Sequence, residues 1–105
     1  MKLTSKDARD LLEQERKNVK DDRWIEHCIC VGDTAGIIAT SLVNEGYNVN
    51  IDKVVVLGYI HDIGKKFNEH GGVLPHAING YNYIKKLGYD EQYAGICIKH
   101  SFLNN

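Results

Sequence analysis

The segment Asn50–Gly64, NIDKVVVLGYIHDIG, decides the fold. Its centre, "VVVL", carries β-branched residues that would suit a buried strand. Two features favour a helix instead. Asn50 stands where an N-cap residue is wanted. Val54, Leu57, Gly58 and His61 recur at helical spacing. The helix is preferred because every other segment of the chain reads as helical. It should run from Ile51 to about Asp62, with His61 on the buried face at its C-terminal end and Asp62 where the helix frays.

Upstream, Thr4-x-x-Asp7 is a capping-box-like start for a first helix whose apolar face holds Leu11 and Leu12. The charged run Arg16–Arg23 follows as a solvated turn region. A second helix is predicted from about Arg23 to Glu45. Trp24, Cys28, Val31, Ala35, Ile38 and Leu42 form its apolar stripe, with His27 beside it. Gly46 stops that helix, in the position where a left-handed residue is usual. Downstream, Ile63–Pro75 reads as a glycine-containing loop, with His70 exposed to solvent. Pro75 then opens a helix at about His76, whose inner face is Ala77, Gly80, Tyr81, Ile84 and Leu87. Asp90 caps a last helix, Glu91 to about His100. The expected fold is therefore all-α: a single domain over residues 1–105 with about five helices.

Composition sets the limits around this. A chain of 105 residues builds one core. Its 13 basic and 14 acidic side chains give a formal charge of −1. With no dominant single-sign field, nothing points to a duplex nucleic acid partner or a polybasic membrane module. The longest apolar run is far too short for a spanning helix, and the N-terminus lacks the apolar core of a signal peptide. Three cysteines, Cys28, Cys30 and Cys97, are an odd count and no disulfide framework. They fit a reducing, cytoplasmic setting, two of them as small core hydrophobes.

Chemistry concentrates in His27, His61, Asp62, His76 and His100. Each sits at the edge of an apolar face or at a helix end, where an unpaired polar group costs a few kcal/mol. Taken singly, each histidine reads as a core side chain bonded to a backbone carbonyl. Asp62 reads as a helix-end cap or salt-bridge partner, and Lys65 and Lys66 as surface charges. Taken together, imidazoles and a carboxylate from four helices suit one or two divalent ions: Mn, Fe, Co, Ni, Zn or, less well, Mg. The His61-Asp62 doublet needs a helix end, because consecutive residues on a regular helix point about 100° apart.

These stretches resemble the HD-domain superfamily of metal-dependent phosphohydrolases. "RWIEHCICVGDTA" is similar to the helix with the family's first His, and "LGYIHDIGKKF" to its HD element. "LPHAINGYNYIKKLG" and "AGICIKHSF" resemble the segments with its third and fourth His. The resemblance covers residues 23 to 102. It implies that His27, His61 and Asp62 hold a first metal, that His76 and His100 hold a second, and that Asp62 bridges. Asp62 and Lys65 then serve catalysis, Lys65 by electrostatic help near the phosphate. The implied substrate is a small phosphate ester or anhydride of nucleotide type, cut by metal-activated water. These domains carry a final Asp on a later helix, and no aspartate follows His100 here. Asp90 precedes it, and Asp33 and Asp52 fit surface or capping roles. The expectation is either a shortened form, lacking the C-terminal part of the usual fold, or a last ligand that comes from elsewhere, with a partner subunit, as in a homo-oligomer, covering part of the core. Two other readings stand beside the hydrolase: a non-catalytic HD-fold domain that binds metal or nucleotide, and a plain helical bundle with packing histidines.

Overall fold

A computed structural model describes residues 2–70 and 76–98, together with the side chains of all of these except 67–70, 76 and 77. Its elements are α1 (Ser5–Arg16), α2 (Arg23–Asn44), α3 (Ile51–Ile60), a 3-10 helix (Ile63–His70), α4 (His76–Lys86) and α5 (Glu91–Ala94). No strand occurs among the described residues, so the deciding segment is a helix and the fold is all-α.

Local chemistry places the helix ends. Thr4 Oγ1 accepts the Asp7 N–H at 3.1 Å, and the Asp7 carboxylate accepts the Thr4 N–H at 3.3 Å, a reciprocal capping box. Asn50 Oδ1 accepts the Lys53 N–H at 3.1 Å and starts α3. After α2 the chain turns on Gly46, at φ 98°. The N–H groups of Gly46 and Tyr47 bond back to Val43 and Leu42, the geometry of a Schellman stop. Asp90 takes the N-cap position of α5 without a side-chain capping bond. That helix is shorter than expected, turning at Gly95 before helical residues resume over 96–98.

Leu3, just before α1, Ala8 and Leu12 from α1, Ile25, Cys28 and Ile29 from α2, and Val56, Tyr59 and Ile60 from α3 form one buried cluster. Ile63, Ile84, Tyr93, Ala94 and Cys97 complete it. Three expectations are corrected here. The buried side of α2 runs through Ile25, Cys28, Ile29, Gly32 and Ala39, whereas Ile38 and Leu42 face solvent. Leu87 is likewise exposed. The segment after the doublet is also not a plain loop, since Ile63–His70 winds as a 3-10 helix.

The crossing of α2 and α3 is unusually close. A Cβ on Gly58 would lie 2.7 Å from the Gly32 Cα, and one on Gly32 would enter the Tyr59 ring. Hydrogen alone at both positions lets the two backbones approach. Tyr59 is then held by its hydroxyl, which donates to Asp33 Oδ1 at 2.5 Å.

Lys66, which reads alone as a surface charge, is largely shielded. Its ammonium donates to Glu15 Oε2 at 2.8 Å and sits 3.9 Å from the Tyr83 ring centroid, tying the 3-10 helix to α1 and α4. Removing the carboxylate from such a shielded pair takes away the opposite charge at 2.8 Å, which costs about 3 kcal/mol. Glu15→Ala is therefore expected to lower stability by roughly that amount in urea denaturation, and Glu15→Met/Lys66→Met to recover most of the loss.

Candidate metal centre

The glycine crossing determines what meets at its end. His27 lies five residues before Gly32 on α2, and His61 lies three residues after Gly58 at the C-cap of α3. The antiparallel approach brings both imidazoles to one point, their ring centroids 5.3 Å apart and edge to face. Asp62 follows, its side chain only 8% exposed. His61 Nε2 is 3.2 Å from Asp62 Oδ2, and His27 Nε2 is 3.7 Å from the same oxygen. One ligand-type atom from each of the three residues lies within 4.8 Å of the others. His27 closes the cluster from the open side, with 54% of its side chain exposed.

The doublet reaches a common point because the His61 ring curls back along α3. His61 Nδ1 donates to the Gly58 carbonyl at 2.6 Å. That commits Nδ1 as the N–H and leaves Nε2 as the lone pair, aimed at a carboxylate oxygen. Two acceptors facing each other at hydrogen-bond distance need a cation or a proton between them. Burial pulls the His61 pKa down. The hydrogen bond to Asp62, the bond to Gly58 and the Asp62 charge outweigh that effect, so the pKa lies above its ordinary value. The pocket thus recruits positive charge. Its nitrogen–nitrogen–oxygen donor set, with one ring nitrogen already fixed by a backbone carbonyl, fits a borderline divalent ion.

Lys65 adds a fixed cation at the rim, its Nζ 3.5 Å from Asp62 Oδ2. The 3-10 winding places it there, and the Lys65 N–H bonds to the Asp62 carbonyl at 3.0 Å. Behind the doublet the packing is tight. A Cβ on Gly80 of α4 would lie 3.0 Å from both the Gly64 nitrogen and Cys97 Sγ. The Cys97 thiol donates to the Ile60 carbonyl at 3.4 Å.

Cys28 and Cys97 flank the carboxylate from the core side. Burial, and secondly the Asp62 charge, push both thiols up to about 12. They stay protonated at neutral pH and out of reach of reagents, while Cys30 is exposed. Titration of the native protein with a thiol reagent is expected to count one fast-reacting cysteine, with the other two appearing only in denaturant.

Of the five residues singled out by spacing, the structure brings together His27, His61 and Asp62. The side chain of His76, which opens α4, and the whole of His100 lie outside the described residues, as does the His70 side chain. Sequence reading missed the Gly58 carbonyl that orients His61 and the Gly32–Gly58 contact. Their one signal is the Gly58-x-x-His61 step, which sets a carbonyl one turn before a C-terminal imidazole.

This arrangement, two imidazoles and an adjacent carboxylate at the meeting of two helices, defines a class, and the chain belongs to it: the HD domain family, whose sequence profile matches residues 24–105. The chain is also similar to an uncharacterized protein of Methanocaldococcus jannaschii, 34% identical over 84 residues, which is 80% of this chain and 48% of that protein. The chain thus spans about half the length of this relative. No solved structure matches it significantly. The family is of metal-dependent phosphohydrolase type, and its domains typically bind divalent metals. No helix among the described residues is long and apolar enough to cross a membrane.

Proposed function

We propose that the protein is a metal-dependent phosphohydrolase acting on a small phosphate-containing substrate of nucleotide type, a monoester, diester or anhydride. The observation that carries this reading is the convergence of His27 Nε2 and His61 Nε2 on one oxygen of the shielded Asp62, with Lys65 beside it. His27, His61 and Asp62 would hold one divalent ion. His76 and His100 would hold a second by the family pattern. A bound ion supplies Lewis acidity and a water acidic enough to attack phosphorus near neutral pH.

The chain's own residues do the rest. Asp62, screened from solvent, keeps its carboxylate where the two helices meet. The Gly58 carbonyl holds His61 in the tautomer that presents Nε2. Lys65, half-buried and already drawn to Asp62, places an ammonium where a phosphate oxygen would approach, and stabilises charge that grows there during reaction. His27, on the exposed side, leaves the centre open to a ligand.

Protein purified without chelator and assayed by elemental analysis alongside hydrolysis of bis-p-nitrophenyl phosphate tests the reading. Bound divalent metal with turnover supports it. Bound metal with no turnover over a broad nucleotide panel would leave a metal- or nucleotide-binding domain without catalysis. Lys65→Ala is expected to retain its metal while losing about 10²-fold in kcat/KM, the scale of one positioned charge at a transition state. Unchanged kcat/KM in that variant would remove Lys65 from the mechanism.

A further inference from the structure

We infer that the outer face of α4 holds a binding site for a nucleoside monophosphate, separate from the metal centre. A pocket of about 560 Å³ lies where α4 meets the 3-10 helix. That volume is within the range of small-ligand sites. Lys66, Asn79, Asn82, Tyr83, Lys86 and Leu87 line it. None of these belongs to the set His27, His61, Asp62 and Lys65. The two places use different faces of the 3-10 helix, whose successive residues point about 120° apart. Lys65 turns to Asp62, with Nζ 3.5 Å from Oδ2, whereas Lys66 turns to Glu15 and the Tyr83 ring.

Charge selects an anion. Among the described residues no carboxylate lines the pocket. The sequence from Gly71 to Tyr89 has no Asp or Glu, whereas α1, α2 and α3 each carry at least one. At the end of α4, Lys85 is answered by Glu91 at 3.7 Å. Lys86 forms no ion pair among the described residues, and it borders the pocket. A lysine in the last turn is ordinarily explained by the negative end of the helix. That accounts for the sign of Lys86, but not for a second cation, Lys66, lining the same space from another element. Lys66 is already shared with Glu15 at 2.8 Å. One uncompensated ammonium and one compensated one suit a single phosphate better than two or three.

The rest of the lining selects the body of the ligand. Asn79, Asn82, Tyr83 and Lys86 stand at helical steps of three and four, so they share one face of α4. Asn82 is exposed and offers an amide donor and acceptor side by side. Such an amide matches the N6 and N7 edge of adenine. Tyr83 and Leu87, one turn apart, give apolar contact for a ring. Lys86 stands one turn beyond Asn82, and its long stem lets the ammonium reach a phosphate past the ribose. An inorganic anion would leave Asn82, Tyr83 and Leu87 unused, and an apolar ligand would leave Lys86 unanswered. The site stands whether or not the metal centre turns over a substrate.

Chemical-shift titration of the isotope-labelled full chain with adenosine monophosphate (AMP) tests this, in EDTA so that the centre holds no divalent ion. Saturable shifts are expected at Asn79, Asn82, Tyr83 and Lys86, with the His27 and His61 signals unmoved. Lys86→Ala should weaken AMP binding about tenfold or more, the loss of one hydrogen bond to a charged group. Asn82→Ala should weaken AMP about tenfold while leaving ribose 5-phosphate unaffected. Both residues are exposed, so both variants should keep the wild-type circular dichroism. Shifts that gather at His27, His61 and Lys65 instead would overturn the inference, since AMP would then be a ligand of the centre. Equal affinity for AMP and inorganic phosphate would overturn it as well, because no base would be read. So would a titration with no saturation up to about 10 mM AMP.

Discussion

Asp62→Ala is expected to abolish divalent-metal binding and, with it, hydrolysis. Three ligand-type atoms meet at this point, and Asp62 supplies the only carboxylate among them. Its Oδ2 is the atom both imidazoles approach. Loss of a group that merely orients a ligand weakens metal binding by about 10–100-fold, so removing the anionic ligand itself should exceed about 100-fold. The readout that isolates the effect is the metal-dependent part of stability. A ligand that binds only the folded state adds about 2.7 kcal/mol at a hundred times its dissociation constant. Wild-type protein in EDTA, then with excess Mn or Zn, should show that increment in its denaturation curve. Asp62→Ala should show none, whatever its baseline. An Asp62→Ala protein that kept its full metal content would refute the proposed ligand set.

The second large effect is expected far from any polar group. Gly58→Ala should lower stability by about 2 kcal/mol and disturb the centre together with it. Alanine in place of glycine within a helix is worth about 1 kcal/mol in its favour. Against that, overpacking a fitted contact costs about 1–3 kcal/mol. Here the new methyl would meet the Gly32 Cα at 2.7 Å and the Gly32 nitrogen at 2.9 Å. Backbone cannot rotate away as a side chain can, so the cost falls at or beyond the top of that range. Only a wider crossing of α2 and α3 relieves it, and widening moves His27 from His61. Thermal unfolding should drop by roughly 10 °C for a chain of this size, and metal affinity should fall although no ligand has changed. A Gly58→Ala variant as stable as wild type, with metal bound as tightly, would show that the crossing does not set the site.

Much of this was legible from local chemistry. Thr4 and Asn50 are read as caps because a capping bond spans three residues. The doublet is read as a site because His61 and Asp62 end an apolar run. The α2 face was harder. Ile37, Ile38, Leu42 and Val43 crowd its second half, so a stripe drawn through the largest apolar residues lands on solvent, while the helix actually buries Gly32 and Ala39. Periodicity weighs hydrophobicity, and a glycine that earns its place by being small carries none. The 3-10 helix after the doublet escaped because Ile63–His70 is short, polar and not of period 3.6. The Glu15–Lys66 pair joins residues 51 apart, a separation that no local pattern encodes.

Trp24, the single tryptophan of the chain, lies one helical step before His27 on α2. Its indole nitrogen is buried and finds no hydrogen-bond acceptor among the described residues. Side chains three apart on a helix have Cβ atoms about 5–6 Å from one another. The molecule therefore carries an intrinsic fluorophore beside its centre. Open-shell ions such as Mn or Co seated there should quench its emission, whereas closed-shell Zn or Mg should leave it bright, so the electronic character of the occupant can be read optically without label or mutation.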